Sequence, residues 1–265
     1  MNCPVDQKLV AEDRKRSVSV SGVVHKFANL EVISSLDLDV AEGEFVSIVG
    51  PSGCGKTTLL NIIAGLVPLQ TGEVSISGTK PSEGRHDVAY MLARDSLLPW
   101  KRALANAEFG ARIRGVDPKL RRAKAQSLLK AVGLEAFEDK YPKELSHGMR
   151  QRVALARTFC LDAPLLLMDE PFGALDAQTK LQLEEVLLSL WNDERRTVLF
   201  ITHDLSEAIA LSDRVIVMRA RPGKIIADIK IDLPRPRSVR KLQSSPRYHE
   251  LYTDVWSKLE QALEI

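Results

Sequence analysis

The chain has 265 residues, long enough for one large α/β domain with a sizeable core. Its 45% apolar and 27% charged residues are ordinary for a globular protein, and a net charge of +2 gives no argument for a nucleic-acid partner. Three scattered cysteines argue against a disulfide framework and fit a reducing compartment. The sequence shows neither a signal peptide nor an apolar run of the ~18 residues that span a bilayer, so membrane attachment is expected only through a partner.

The first hundred residues have mostly strand patterns. Residues 1–16 are polar and charged and are predicted to form a disordered extension. Strands are then predicted at 18–27, on both sides of the turn at Glu42 and Gly43, and at 73–77 and 88–92. The strand at 45–49 ends in a glycine-rich loop, and an apolar helix is predicted from Thr57 to Ala64.

The second part of the chain begins with a change from strand patterns to helical patterns. Basic and alanine-rich helical patterns from Lys101 to about Arg157 predict a helical insertion. Strand patterns then alternate with helical ones: strands at 165–168, 197–202 and 214–218, and helices at 177–192 and 205–210. This alternation predicts a parallel sheet with helices on both faces. After the break at Pro234 and Pro236, a final amphipathic helix is predicted from Pro246 to Leu263.

The loop after the strand at 45–49 reads Gly50-Pro-Ser-Gly-Cys-Gly-Lys-Thr57, which fits the phosphate-binding pattern G-x-x-x-x-G-K-[ST]. Glycines allow backbone N–H groups to converge on phosphate oxygens, and the following helix adds the positive end of its dipole. Lys56 is predicted to reach the outer phosphates and Thr57 to place a hydroxyl on Mg²⁺. A chance glycine-rich turn is the alternative, but the strand before the loop and the helix after it favour a nucleotide site.

The strand at 165–168 ends in two carboxylates, Asp169 and Glu170. Asp169 is suited to order Mg²⁺ and Glu170 to act as the general base for an attacking water. An acidic pair at a solvated strand end is the plainer interpretation of these two residues alone. The upstream phosphate-binding loop favours the functional one.

Three further motifs follow in a fixed order. The run from Leu145 to Arg152, LSHGMRQR, resembles the signature motif of ABC ATPases. The run 171–176, PFGALD, resembles the D-loop of the same family. Thr202-His203-Asp204 resembles its switch-histidine region. The resemblance covers residues 17 to 220. It implies a P-loop NTPase core with a parallel sheet, an N-terminal antiparallel β-subdomain and an inserted helical subdomain. The expected bounds are 17–240 for the ATPase domain, about 94–160 for the helical subdomain and 241–265 for a C-terminal helical tail.

The resemblance also implies roles for individual residues. Glu170, His203 and Lys56 would be catalytic, with His203 holding the attacking water near the γ-phosphate. Thr57 and Asp169 would ligate Mg²⁺. Residues implied to bind ATP are Phe27, Gly50, Pro51, Ser52, Gly53, Cys54, Gly55, Lys56, Thr57, Thr58, Ser146, Gly148 and Asp176. Among these, Ser146 and Gly148 would contact ATP on the opposite subunit, Asp176 would lie at the dimer seam, and Phe27 would stack on adenine unless it is a plain core residue.

A finer resemblance points to importers of the nitrate/sulfonate/taurine group. It rests on Leu97-Leu-Pro-Trp100, on the D-loop run, on Arg221-Pro-Gly-Lys224 and on the Ile231-to-Pro236 run. It implies a homodimer of ATP-binding subunits, peripheral at the cytoplasmic face of the inner membrane, beneath a membrane permease and served indirectly by a solute-binding protein, with no nucleic acid. Trp100 would face the permease, or else belong to the subdomain core.

Two positions depart from the family pattern. Ala93 stands where the Q-loop glutamine is expected, seven residues before Trp100, and His147 stands where the signature motif usually has a glycine. A methyl group cannot ligate Mg²⁺, so one ligand would become a water, or Asp95 would act from nearby. These departures leave open a nucleotide sensor that does not hydrolyse ATP. A soluble ABC ATPase acting on nucleic acid or ribosomes is the other alternative, although the chain holds one cassette and no long coiled-coil insertion.

Overall fold

A computed structural model describes residues 15–93, 95–173 and 175–263 of the chain. Residues 1–14 of the predicted extension lie outside the described residues, and Arg16 already belongs to the first strand. The strands are β1 (Arg16–Phe27), β2 (Leu30–Ala41), β3 (Phe45–Val49), β4 (Thr71–Ile76), β5 (Val88–Met91), β6 (Leu165–Asp169), β7 (Thr197–Ile201), β8 (Arg214–Arg219) and β9 (Lys224–Lys230). The helices are α1 (Lys56–Ile63), α2 (Ala103–Ala107), α3 (Phe109–Ile113), α4 (Pro118–Ala131), α5 (His147–Cys160), α6 (Ala177–Glu194), α7 (Leu205–Leu211), α8 (Val239–Leu242) and α9 (Pro246–Leu263).

The larger sheet has the strand order β5-β6-β7-β3-β8-β9, and its pairs are parallel except for β9, which runs antiparallel to β8. Strands β3, β6 and β7 are buried at every position, as expected for parallel strands covered by helices on both faces. Parallel strands end at the same edge of a sheet, so the residues that follow these three strands meet there. The predicted parallel core is therefore confirmed.

The smaller sheet has the order β2-β1-β4, with antiparallel pairs. One apolar cluster joins it to the larger sheet and to α1, and includes Val18, Val40, Ile48, Leu59 and Ile216. This shared core holds the end of β1 beside the loop that precedes α1.

Helices α2 to α5 lie between β5 and β6 in sequence and form the predicted helical insertion. Helix α4 begins where the sequence favours it: Pro118 is its first residue, and the Asp117 carboxylate accepts hydrogen bonds from the amides of Lys119 and Leu120. Within the described part of the chain, no helix is both long and apolar enough to cross a bilayer.

Two strands differ from the sequence-based expectation. Strand β2 begins at Leu30, because the chain turns at Ala28, whose φ is 51°. A second positive φ, of 45° at Ser35, interrupts the alternation of buried and exposed residues along this strand. Strand β9 was missed. The pattern KIIADIK of β9 leaves alternate residues exposed, as suits an edge strand.

Helices α6 and α7 enclose a partly buried group of charges. The ammonium of Lys180 lies 3.0 Å from Asp204 Oδ2 and 2.9 Å from Glu207 Oε1. Glu184, one turn from Lys180, is only 5% exposed. Burial, followed by the charges of Glu207 and Asp204, raises the pKa of Glu184 to about 8.

This raised pKa predicts that stability falls as the pH rises from about 5 to 8, because over that range the folded protein holds a proton that the unfolded chain has lost. We expect Glu184→Gln to raise the free energy of unfolding at pH 8.5 by about 1–2 kcal/mol and to change it little at pH 5. Urea denaturation at both pH values measures the effect, with Asp193→Asn at an exposed position of α6 as control. An equal shift at the two pH values would contradict the prediction.

Candidate nucleotide site

The loop between β3 and α1 is shaped by its glycines. Gly53 and Gly55 have φ angles of 80° and 93°, in the left-handed region that favours glycine. A Cβ at Gly55 would also lie 2.9 Å from Ile33 Cγ1, so no side chain fits there. The loop thus turns tightly into the N-terminus of α1, where backbone N–H groups and the helix dipole favour an anion.

Lys56, the first residue of α1, is buried and points its ammonium back into this loop. Its Nζ donates to the carbonyl oxygens of Gly50 at 2.8 Å and Pro51 at 3.1 Å, and lies 3.7 Å from Cys54 Sγ. Burial raises the pKa of the Cys54 thiol although Lys56 acts in the other direction, which fits a structural thiol. The cation is thereby held at the mouth of the loop, where phosphate oxygens would meet it.

Thr57 and Asp169 come together from α1 and the end of β6. The Thr57 hydroxyl donates to Asp169 Oδ1 at 3.1 Å, across 112 residues of sequence. Asp169 is 8% exposed, and this burial raises the pKa of its carboxyl, with the neighbouring Glu170 acting in the same direction. A hydroxyl beside a carboxylate is a set of hard oxygen ligands that fits Mg²⁺.

Glu170 and His203 follow the adjacent strands β6 and β7. Glu170 Oε2 lies 3.3 Å from His203 Nδ1, and the Glu170 amide donates to the carbonyl of Ile201 at 3.0 Å. Glu170 has a φ of 45°, a strained value for a residue with a side chain, of the kind that concentrates at functional sites. This backbone turn places the carboxylate of Glu170 beside the phosphate-binding loop.

A cavity of about 480 Å³ joins these groups; it is lined by Gly50, Pro51, Ser52, Lys56, Glu170, His203, Leu259 and Leu263. It holds a cation, a carboxylate and an imidazole around one space. Such a set can bind a phosphate and polarise a water beside it.

Phe27 ends β1 and is 52% exposed, so the alternative of a plain core residue is wrong. The ring packs edge-on against the buried imidazole of His25, with ring centroids 4.8 Å apart. Its exposed face is available for stacking on a base.

Ser146, Gly148 and Asp176 lie together at the starts of α5 and α6, outside the cavity at the phosphate-binding loop. Ser146 caps α5 by accepting a hydrogen bond from the amide of Met149, and Asp176 caps α6 by accepting one from Thr179 at 3.0 Å. A Cβ at Gly148 would lie 2.6 Å from Thr179 Cγ2, so glycine permits the close approach of the two helix starts. Ala174, in the D-loop-like run, lies outside the described residues.

These residues line a second cavity of about 300 Å³, which shares no lining residue with the first. The chain therefore has two separate cavities, named half-sites below: one at the phosphate-binding loop and one at the signature-like helix start. The residues predicted for ATP binding are not all brought together within one chain.

Ala93, the first departure, contacts α5, the helix that begins at the second departure, His147. Ala93 is exposed, and its carbonyl accepts a hydrogen bond from Gln151 Nε2 at 3.3 Å. Asp95, considered as a substitute for the missing glutamine, is instead paired with Arg150, whose Nε lies 2.9 Å from Asp95 Oδ2. The suggestion that Asp95 acts freely at the metal is therefore not supported by its contacts.

Sequence reasoning missed two features of this region. Leu259 and Leu263, in the last turn of α9, line the first cavity; α9 was predicted as amphipathic, but nothing local shows where its apolar face packs. The contacts of Arg150 with the loop after β5 were also missed, because that loop has no periodic pattern.

Comparison with known proteins agrees with this geometry. The model of the family described as "ABC transporter" matches residues 33–173. An uncharacterised ABC transporter ATP-binding protein of Methanocaldococcus jannaschii is 48% identical over 208 residues, covering 78% of each chain. The taurine import ATP-binding proteins TauB of Rhizobium johnstonii and Yersinia pestis are 40% and 36% identical, covering 85% and 94% of this chain and 88% and 99% of theirs.

A solved structure has a fold similar to that of this chain. The ATP-binding cassette MJ0796, described as a dimeric post-hydrolysis state bound to ADP and Pi, superposes with a TM-score of 0.72 at 31% identity, covering 82% of this chain and 100% of its own. Sequence, fold and the placement of the phosphate-binding loop thus agree, and the chain belongs to the ABC transporter family, as an ATP-binding subunit that hydrolyses ATP.

Proposed function

We propose that this chain binds ATP with Mg²⁺ and hydrolyses it to energise solute import through an ABC transporter of the nitrate/sulfonate/taurine type. The observation that carries the direction of transport is the likeness to taurine import ATP-binding proteins over 85% and 94% of the chain. The chemistry is supported independently by the cavity that holds Lys56, Glu170 and His203.

In this proposal the loop from Gly50 to Thr58 encloses the phosphates, with Lys56 neutralising their charge and Phe27 stacking on adenine. Thr57 and Asp169 would hold Mg²⁺, which would neutralise phosphate charge when bound. Glu170 accepts the proton of the attacking water, and His203, 3.3 Å from its carboxylate, helps to hold that water at the γ-phosphate. The γ-phosphate bond to the β-phosphate breaks as the water oxygen bonds to phosphorus, giving ADP and phosphate.

The second half-site is proposed to act on a second copy. Ser146 and Gly148 lie at the start of α5, where helix N–H groups and the dipole favour an anion, but they line a cavity separate from Lys56. A homodimer would bring the signature helix of one subunit onto the ATP of the other, with Asp176 at the seam. The dimeric MJ0796 cassette supports this arrangement.

Transport requires further partners, which we propose to be membrane permease subunits and, indirectly, a solute-binding protein. The chain would then sit at the cytoplasmic face of the inner membrane, held there by the permease, with no role for nucleic acid. Trp100, at the entry to the helical insertion, is 71% exposed, so it is not a subdomain core residue and is available for contact with a permease.

Ala93 predicts weak binding of Mg²⁺, because its methyl group supplies no ligand to the metal. We expect Ala93→Gln to lower the Mg²⁺ concentration for half-maximal hydrolysis by about 3- to 10-fold, equivalent to roughly 1 kcal/mol. The measurement is ATPase activity against Mg²⁺ concentration. Leu92→Gln, which places the same amide one residue away, is the control. An unchanged Mg²⁺ requirement and an unchanged kcat in Ala93→Gln would refute the idea.

Import is tested by uptake of radiolabelled taurine, an alkanesulfonate and nitrate in cells that lack the gene. Restoring the wild-type chain, but not Glu170→Gln, should restore uptake of at least one of these solutes. Normal uptake of all three in the deleted strain, together with loss of an efflux activity, would overturn the proposal of import.

Membership of the ABC transporter family speaks against the alternative that Ala93 and His147 left open, a nucleotide sensor. Such a sensor predicts ATP binding with no turnover, both for the purified chain and in the presence of its permease. The retained pair of Glu170 and His203 favours hydrolysis over this candidate.

A further inference from the structure

Arg150, in the first turn of α5, makes three contacts, two of them with the residues that flank the serine at the start of that helix. Its Nη1 donates to the carbonyl of Leu145 at 2.9 Å, and its Nη2 lies 3.2 Å from His147 Nδ1. Leu145 and His147 are the residues on either side of Ser146. The guanidinium therefore bridges the backbone before the serine and the side chain after it.

The contact between Arg150 and His147 shows which nitrogen donates the hydrogen bond and which accepts it. A guanidinium only donates, so His147 Nδ1 accepts, and a neutral imidazole then carries its proton on Nε2. Nε2 is buried and has no hydrogen-bond partner among the described residues. A glycine at position 147 would offer Arg150 no side-chain acceptor. His147, which replaces the usual glycine, therefore supplies one of the three hydrogen-bond acceptors of Arg150.

The third contact of Arg150 reaches the loop after β5. Its Nε donates to Asp95 Oδ2 at 2.9 Å, and the two side chains are 30% and 21% exposed. Arg157, two turns further along α5, donates to the carbonyl oxygens of Asp95 at 2.7 Å and Ser96 at 2.9 Å. Gln151, next to Arg150, also donates to the carbonyl of Ala93, so three side chains of α5 hold this loop. Of these three, Arg150 also contacts both residues that flank Ser146.

Such an arrangement is stiffer than a surface ion pair. The planar guanidinium uses three separate N–H groups on three acceptors in fixed directions, and lysine cannot reproduce that fork. A displacement of Asp95 must therefore move Arg150 and, with it, the residues that flank Ser146. The side chain of Asp95 therefore links this loop to Arg150 and to the residues around Ser146.

We propose that Arg150 is a positioning residue for Ser146, held by Asp95 and His147, and that it transmits the position of the loop after β5 to the ATP bound by the opposite subunit. The proposal rests on the proposed function, since it needs hydrolysis at a site shared between two copies. Arg150 acts through Ser146 rather than on the nucleotide.

Mixed dimers with two different affinity tags test the proposal. In the first, one subunit carries Lys56→Ala and the other Arg150→Gln, so the intact phosphate-binding loop faces an intact signature helix. In the second, a Lys56→Ala, Arg150→Gln double-mutant subunit is paired with a wild-type subunit, so the intact loop faces the altered helix. We expect the kcat of the second dimer to be about 10-fold below that of the first, because small displacements of positioning groups slow catalysis strongly.

Coupling within the network gives a second readout. Asp95→Asn and His147→Gly should each lower kcat in the wild-type background and have no further effect in the Arg150→Gln background, since both act through Arg150. Arg150→Lys should not restore kcat. Arg121→Gln, which removes a partly buried arginine from α4 of the same subdomain, controls for loss of packing.

The outcomes separate the two proposals. If the wild-type dimer hydrolyses ATP and the two mixed dimers have equal kcat, Arg150 has no effect on the opposite subunit and the inference is overturned. If Asp95→Asn lowers kcat equally with and without Arg150→Gln, the link through Arg150 is overturned. If the wild-type dimer itself shows no turnover, it is the proposed function that fails.

Discussion

Replacing Glu170 with glutamine is expected to lower kcat for ATP hydrolysis by about 100- to 10,000-fold while leaving ATP binding intact, because a positioned general base supplies an acceleration of that size. The amide keeps the shape of the carboxylate and its distance to His203, but it cannot accept the proton of the water. ATP that cannot be cleaved should hold the two subunits together. Steady-state phosphate release and size-exclusion chromatography with Mg²⁺ and ATP measure the two effects.

Asp193→Asn, at an exposed position of α6 and outside the lining of both cavities, is the control for loss of a carboxylate. Turnover of Glu170→Gln within a few-fold of the wild type would show that another group activates the water. Loss of ATP binding would show that Glu170 contributes to the shape of the site rather than to the chemical step.

Lys56→Ala is expected to act at the binding step. It removes the buried ammonium that Gly50 and Pro51 hold at the mouth of the loop. A charge-assisted hydrogen bond of this kind contributes about 1.5–3 kcal/mol, so we expect ATP affinity to fall by about 10- to 100-fold. Titration with a fluorescent ATP analogue measures it.

Lys130→Ala is the matched control, since Lys130 is an exposed lysine on α4, paired with Glu135. Its affinity for the analogue should equal that of the wild type. An unchanged affinity in Lys56→Ala would mean that the backbone and the helix dipole alone hold the phosphates, and the role given to the lysine would then be wrong.

The parts of the site that were predictable are those with local patterns. The glycine spacing from Gly50 to Gly55 is set by backbone geometry within one loop, so it could be recognised without the fold. The approach of Thr57 to Asp169 spans 112 residues, yet it follows from the rule that parallel strands end at one edge of a sheet. The strand and helix alternation was enough to predict that edge.

The unpredicted parts depend on tertiary packing. The pairing of Arg150 with Asp95 joins a helix to an irregular loop 55 residues away, and neither residue type specifies the other. The last turn of α9 reaches the nucleotide cavity because α9 packs on β8 and α7, a placement that amphipathic periodicity does not determine. Phe27 could be singled out by its position, but only its 52% exposure separates a stacking ring from a core residue.

In the proposed dimer, ATP is hydrolysed between two copies of the chain, each giving one of the two half-sites. The most direct test is the Mg²⁺-dependent ATPase activity of the purified wild-type protein, measured per subunit over a wide range of protein concentrations. If two copies share each site, activity per subunit rises with protein concentration as dimers form, and its dependence on ATP is cooperative. Activity per subunit that stays constant down to concentrations at which the protein is monomeric would contradict it, because one chain would then hold a complete site.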